Sequence, residues 1–425
     1  MKKYIFIILL CCLIGVGVKA ITSSEVDGGD SHSIRLPTQE TTFYANNRFW
    51  VFYQDEVDDF AYKTSTDGLS WSSKNLLYNG SSYFAAMFDI YFDGTNVHYI
   101  RNDNRTGAGY PGLFYRKGVP EADGSITWAA VEQEILDSDV YTYVADISLT
   151  VDSNGYPWAG YGFFGGTGKD YEPYIITSDT NDGTWSTKSG YPLNIDNTDY
   201  TLIKVVAQTS GKLYALIVQY YPSESEDLIY GYQYDGAAWG SKDTVSSSTL
   251  KMGASGGTYA QYDLLAESDE LHLVFHAGTT DDIRYINYNG TDWVSEEILV
   301  VTADRSDRSS PVLTYWDSDT LYMFWTKQPN ILWIQQYSDT WYTDEEIYLT
   351  DQQIVFDNER CLQSFKAQYG SYGGVFYLQE DGFFEDQIFT SHQGFDAPVT
   401  PSADDPINHI FKGTIIFNDN IIIKN

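Results

Sequence analysis

Ser65-Thr66-Asp67-Gly68-Leu69-Ser70-Trp71 decides the fold, because variants of it return along the chain at nearly even spacing. They are Ala122-Asp123-Gly124-Ser125-Ile126-Thr127-Trp128, Thr180-Asn181-Asp182-Gly183-Thr184-Trp185, Tyr234-Asp235-Gly236-Ala237-Ala238-Trp239, Tyr288-Asn289-Gly290-Thr291-Asp292-Trp293 and Tyr337-Ser338-Asp339-Thr340-Trp341. The six tryptophans lie 57, 57, 54, 54 and 48 residues apart. A period of roughly 50 residues marks a repeat architecture. In the first five copies Asp-Gly or Asn-Gly suits a turn, with the glycine at positive φ and the Asx side chain bonding backbone amides. The tryptophan that follows is placed to fold back on the sheet as an aromatic plug.

Ahead of each plug stand three apolar runs separated by polar turns. In the first unit they are Thr41 to Tyr44, Arg48 to Gln54 and Phe60 to Thr64, and later units open at Phe88, Ile147, Leu202, Tyr262, Val312 and Phe365. Seven units of three strands, each with a fourth strand beside the plug, predict an all-β, seven-bladed β-propeller over residues 33–392, with six or eight blades as neighbouring counts. The last unit lacks the tryptophan. That fits a closing blade completed by strands from both ends of the repeat, the N-terminal share coming from Ser33 to Pro37.

Residues 1–20 read as a secretion signal: Lys2-Lys3, an apolar run from Tyr4 to Val18, and small residues before the break after Ala20. Residues 21–32 then form a leader. No later run reaches the roughly 20 apolar residues a membrane span needs, so a secreted, extracellular or periplasmic product is expected. Cys11 and Cys12 leave with the signal, and Cys361 alone cannot form an internal disulfide. The core must supply stability.

With 25 Lys+Arg against 59 Asp+Glu, the net charge is −34, which opposes nucleic acid and anionic membranes as partners. Aromatic residues make up 16 % of the chain, enough for tyrosine and tryptophan both to plug blade interfaces and to offer stacking platforms for sugars. The histidines suggest no metal site, since His272 and His276 on one strand face stand about 13 Å apart. No cofactor is expected. Calcium is the one ion the acidic hairpins would admit, although Asp317-Ser318-Asp319 is most simply an Asx turn.

The repeated stretch resembles the Asp-box of the bacterial neuraminidase repeat, Ser-x-Asp-x-Gly-x-Thr-Trp. Ser65 to Trp71 has one residue fewer between Asp and Trp, and Asp123 to Trp128 and Asp182 to Trp185 match loosely. The resemblance implies a sialidase-like propeller in which the box is an outer turn away from the central pocket. Asp67, Asp123 and Asp182, with Trp71, Trp128, Trp185, Trp239, Trp293 and Trp341, are then structural. Sialidases also open their first inner strand with Arg-Ile-Pro, whose arginine grips a sugar carboxylate, and Ile34-Arg35-Leu36-Pro37 stands at the corresponding place. They have six blades, and no Tyr/Glu nucleophile pair or Asp acid/base matches here.

In such a fold the first strand of each blade lines the central channel. Polar residues leading into those strands are candidates for a site: Arg35, Asp89, Asp146, Lys204, Asp263, Arg308 and Arg360. Ring closure would bring Arg35, Arg308 and Arg360 into one sector suited to a carboxylate or sulfate, unless they pair with Asp304, Asp307 and Glu359. Asp89, Asp146 and Asp263 would offer carboxylates for glycoside hydrolysis, which needs two about 5–9 Å apart, or would bond to backbone amides instead. After His392, residues 393–425 read as a Pro-containing linker and a β-hairpin over Ile410 to Lys424. Three functions follow: a carbohydrate-binding propeller recognising extracellular glycans, a sialidase-like exo-glycoside hydrolase, and a secreted protein-interaction scaffold. The oligomeric state is left open.

Overall fold

The computed structural model describes residues 22–29, 39–55, 59–79, 87–103, 112–136, 143–164, 172–198, 201–219, 229–246, 248, 250, 262–277, 282–294, 297–301, 311–317, 320–327, 331–338, 340–341, 346–349, 363–364, 372–380 and 386–394. Arg35, Arg308, Arg360, the Ile34-to-Pro37 stretch, the secretion signal and the C-terminal hairpin lie outside them. Among the described residues the strands form seven antiparallel sheets, and no helix is long and apolar enough to cross a membrane.

The first sheet runs Thr42–Ala45, Arg48–Gln54, Phe60–Ser65 and Asn75–Tyr78, in sequence order from its inner to its outer edge. Three more repeat that order, opening at Tyr143–Val151, Thr201–Ala207 and Tyr262–Glu267, while the second and sixth sheets, opening at Phe88–Phe92 and Val312–Asp317, carry a fifth strand. In each of these six sheets the outermost strands follow the tryptophan turn. The opening strands of successive sheets are neighbours, and Thr42 Oγ1 donates to the Ser364 carbonyl at 3.3 Å, joining the first sheet to the last. The arrangement is a β-propeller.

Middle strands such as Arg48–Gln54 (RFWVFYQ) and Leu213–Gln219 (LYALIVQ) are almost wholly buried, because each sheet is covered on both faces by its neighbours. A strand buried on both faces reads as a continuous apolar run rather than an alternating one. The buried side chains accordingly gather between sheets: Phe43, Trp50 and Phe60 with Phe88 and Tyr99, Ile100 and Tyr115 with Ile147 and Tyr161, Leu216 with Leu264 and Leu273. At Gly160 an added Cβ would stand 2.8 Å from Val205 Cγ2, so the absence of a side chain lets the third and fourth sheets approach.

The last sheet is closed from the N-terminal side, by a strand earlier than the one the sequence suggests. Thr22–Gly29 pairs antiparallel with Asp386–Gly394 along the outer edge, Ser23 opposite Ser391. The leader is therefore part of the propeller. TSSEVDGG carries no strand-like pattern of its own, and its one apolar side chain, Val26, is buried. It is ordered by the open edge it completes. Asp27 anchors it to the first sheet, accepting the Tyr53 hydroxyl and lying 3.1 Å from Lys63 Nζ, which also donates to the Val26 carbonyl at 2.8 Å.

The Ser65-to-Trp71 turn closes on its own side chains. Asp67 Oδ1 accepts the amides of Leu69 and Ser70, each at 2.8 Å, while Ser65 Oγ accepts the Gly68 amide at 2.8 Å and Gly68 sits at φ 69. These amides hold the Asp67 carboxyl down at about 2. Asp123, Asp182 and Asp235 accept amides in the same way, and Asn289 takes those of Thr291 and Asp292. Each tryptophan that follows reaches back to the preceding sheet: Trp185 to Tyr115 at 4.9 Å between ring centres, Trp293 to Tyr214 at 5.5 Å, Trp341 to Tyr285 at 5.3 Å. Trp71 packs with Val26 of the closing strand, and Trp128 joins the aromatic core of the first and second sheets.

Candidate functional site

Two places on the described surface hold polar groups that invite a functional reading: the inner strands around the channel and a cavity on the third sheet. On the inner strands, Asp89 is 1 % exposed and touches three sheets. Its Oδ1 accepts the Glu40 amide at 2.6 Å from the chain entering the first sheet, and its Oδ2 accepts the Leu149 amide at 2.6 Å from the third. Burial first, and the Glu40 charge second, push the Asp89 carboxyl well above the usual range, against the pull of the Glu40 and Leu149 amides and of Lys204.

Asp263 does the same work further round. Its Oδ2 accepts the Leu313 amide at 2.8 Å from the sixth sheet, and its Oδ1 lies 3.7 Å from Lys204 Nζ of the fourth. Ser148 Oγ accepts the Val205 amide at 3.0 Å, and Ser364 Oγ donates to the Leu313 carbonyl. Thr42, Ser148 and Ser364 escaped the sequence reading, which singled out charge. Their only signal was position, since each stands on an opening strand where one hydroxyl reaches the next sheet.

Asp146 lies at an irregularity in the third opening strand, between Ala145 and Ser148, with φ 54 and no exposed surface. Hydrolysis requires two carboxyls facing an open bond. Asp89 has the raised proton affinity of a general acid, yet it and Asp263 offer no face to a ligand, being 1 % and 0 % exposed. The described inner strands thus bring Asp89, Lys204 and Asp263 into one buried polar network that joins the sheets. Among the described residues no group of three or more His, Cys, Asp or Glu is placed to hold a metal ion.

The cavity, of about 240 Å³, is lined by Asp152, Tyr156, Trp158, Thr177, Ser178, Asp179 and Lys188. The turn between the first two strands of the third sheet supplies Asp152 and Tyr156, and the Asx-type turn after its third strand supplies Ser178 and Asp179. Trp158 stands on the second strand and donates from Nε1 to Asp152 Oδ2 at 3.1 Å. Lys188 Nζ sits 5.6 Å from the Trp158 ring centre. None of these seven was marked in the sequence as a site residue, because they belong to turns and strand ends that look ordinary until the sheet folds them together.

No protein-family model matches the chain, and no curated protein matches it. Solved structures share its fold. An ulvan lyase, a polysaccharide lyase, superposes with a TM-score of 0.55 at 11 % identity when bound to -[GlcA(1-4)Rha3S]-, covering 88 % of this chain and 96 % of the lyase. For a second structure of an ulvan lyase the figures are 0.53 and 10 %, with the same coverage. The endosialidase of phage phi92 aligns with a TM-score of 0.48 at 11 % identity, over 91 % of this chain and 71 % of its own.

Proposed function

We propose that this protein is a secreted, seven-bladed propeller that binds extracellular glycans through the cavity on its third blade. The observation that carries the reading is the cavity's lining, which sets two aromatic residues, Tyr156 and Trp158, beside a carboxylate and an ammonium, Asp179 and Lys188. Aromatic faces take the apolar face of a sugar while a few placed polar groups fix its hydroxyls. The seven described sheets support the blade count, and the Lys2-to-Ala20 pattern supports export. The ulvan lyase of similar fold is recorded with a bound glycan unit, which accords with this reading. Binding is preferred to hydrolysis because Asp89 and Asp263 are committed to neighbouring sheets.

A glycan array probed with the chain from Ile21 onward, run beside a fluorogenic sialoside assay, tests the proposal. Saturable binding to a subset of glycans without turnover supports it. Release of the fluorophore would replace it with the hydrolase reading, and a silent array would remove glycan binding altogether.

A further inference from the structure

We infer that the third-sheet cavity takes one neutral pyranose ring, with Lys188 as a movable cover over Trp158; this rests on the glycan-binding reading above. At about 240 Å³ the cavity is smaller than the roughly 300–1,000 Å³ of pockets that hold drug-sized ligands. One sugar ring fits it better than a chain does.

The polar groups of the lining divide into spent and free. Asp152 Oδ1 accepts the amides of Asn154 and Tyr156 at 2.8 and 3.0 Å, and its Oδ2 is taken by the Trp158 indole. Ser178 Oγ accepts the amides of Thr180 and Ser186, both at 3.0 Å, and Thr177 Oγ1 donates to the Pro157 carbonyl at 2.9 Å. The Tyr156 hydroxyl, the Asp179 carboxylate and the Lys188 ammonium make no side-chain hydrogen bond or ion pair among the described residues. A carboxylate is a pure acceptor with two oxygens, which suits two adjacent sugar hydroxyls, and a phenol can give or take a third bond.

Charge selects within sugars. Two carboxylates against one ammonium leave the lining negative, in a chain of net charge −34, so an anionic sugar is opposed. A neutral ring meets no such penalty.

Trp158 is only 2 % exposed, and it is held from elsewhere by Tyr234, Tyr191 and Trp239 at 5.0, 5.6 and 6.3 Å. Lys188 shares the cavity with it. This side chain is long and half-buried, and among the described residues its ammonium is tied only to the ring. Swinging it outward costs one weak cation–π contact and uncovers indole surface for the sugar.

The test titrates the chain from Ile21 onward with methyl glycosides of glucose, galactose and mannose, and with glucuronate, reading tryptophan emission. At least one neutral glycoside should saturate the signal, with glucuronate at least tenfold weaker. Asp179→Asn should weaken that binding at least tenfold without moving the melting temperature, since Asp179 is exposed. Lys188→Ala should raise the association rate severalfold in stopped-flow measurements, because no cover then has to move. Preference for glucuronate overturns the neutral assignment, and an unchanged association rate overturns the cover. Array binding that survives Asp179→Asn intact removes the cavity but leaves glycan recognition standing, whereas a silent array removes both.

Discussion

Asp89 Oδ2 accepts the Leu149 amide at 2.6 Å, so that a carboxylate on the second sheet fastens the inner strand of the third. Removing it strands that amide and the Glu40 amide in a buried setting. Asp89→Ala should therefore cost about 2–5 kcal/mol in urea unfolding, and Asp89→Asn, which keeps one acceptor oxygen, markedly less. A variant of unaltered stability that has lost ligand binding would show instead that Asp89 serves a site.

The tryptophan plugs predict a graded series. Trp293 reaches the fourth sheet, donating from Nε1 to the Tyr214 hydroxyl at 2.8 Å. Trp293→Ala should lower stability by about 3 kcal/mol through lost packing. Trp293→Phe, which keeps a ring but not the donor, should cost about 1 kcal/mol. Equal losses in the two variants would mean that the indole bond, not the ring, holds the interface.

Stability should also depend on pH through the buried histidines. Burial lowers His272 to about 4, below its ordinary 6.5, and it lowers His98 in the same direction against the pull of Asp93. Between those values the unfolded chain takes up a proton that the folded chain does not. The contribution is thus complete above about pH 6.5 and is lost as the pH falls toward 4. His272 is bonded through Nδ1 to the Tyr285 hydroxyl at 2.7 Å, and Tyr285 carries Trp341, so the loss falls on the interface of the fifth and sixth sheets. Melting curves from pH 7.5 to 4 should show a steeper acid-side fall for the native protein than for His272→Gln. The comparison cancels the general effect of neutralising carboxylates, and parallel curves would refute the assignment.

Ring closure makes a local prediction. Asp27 joins the N-terminal strand to both Tyr53 and Lys63. Asp27→Ala should loosen Thr22–Gly29 and its partner Asp386–Gly394, cost about 1–3 kcal/mol, and speed amide hydrogen exchange there before it does so in the Leu213–Gln219 strand. Uniform acceleration across the sheets would mean that the ring opens as a whole and that the strand is no separate latch.

The repeat was legible because the first five units solve the same local problem with the same residues: an Asx-Gly turn needs a positive φ and an acceptor, and the following Trp needs a surface to cover. Strand positions such as Arg48 to Gln54 followed from unbroken apolar runs that only burial on both faces can use. The closing strand was not legible, since Thr22–Gly29 owes its conformation to the free edge of Asp386–Gly394, hundreds of residues away. The same is true of the sites. Charge in the sequence marked Asp89 and Asp263, but only the folded ring decided that their oxygens meet the amides of Leu149 and Leu313, as those partners belong to other sheets. The cavity of Tyr156, Trp158, Asp179 and Lys188 likewise exists because two turns and a strand of the third sheet converge. Local sequence dictates turns and strands through short-range sterics and hydrogen bonding; which polar groups are spent and which are left for a ligand depends on partners that only the closed ring brings near.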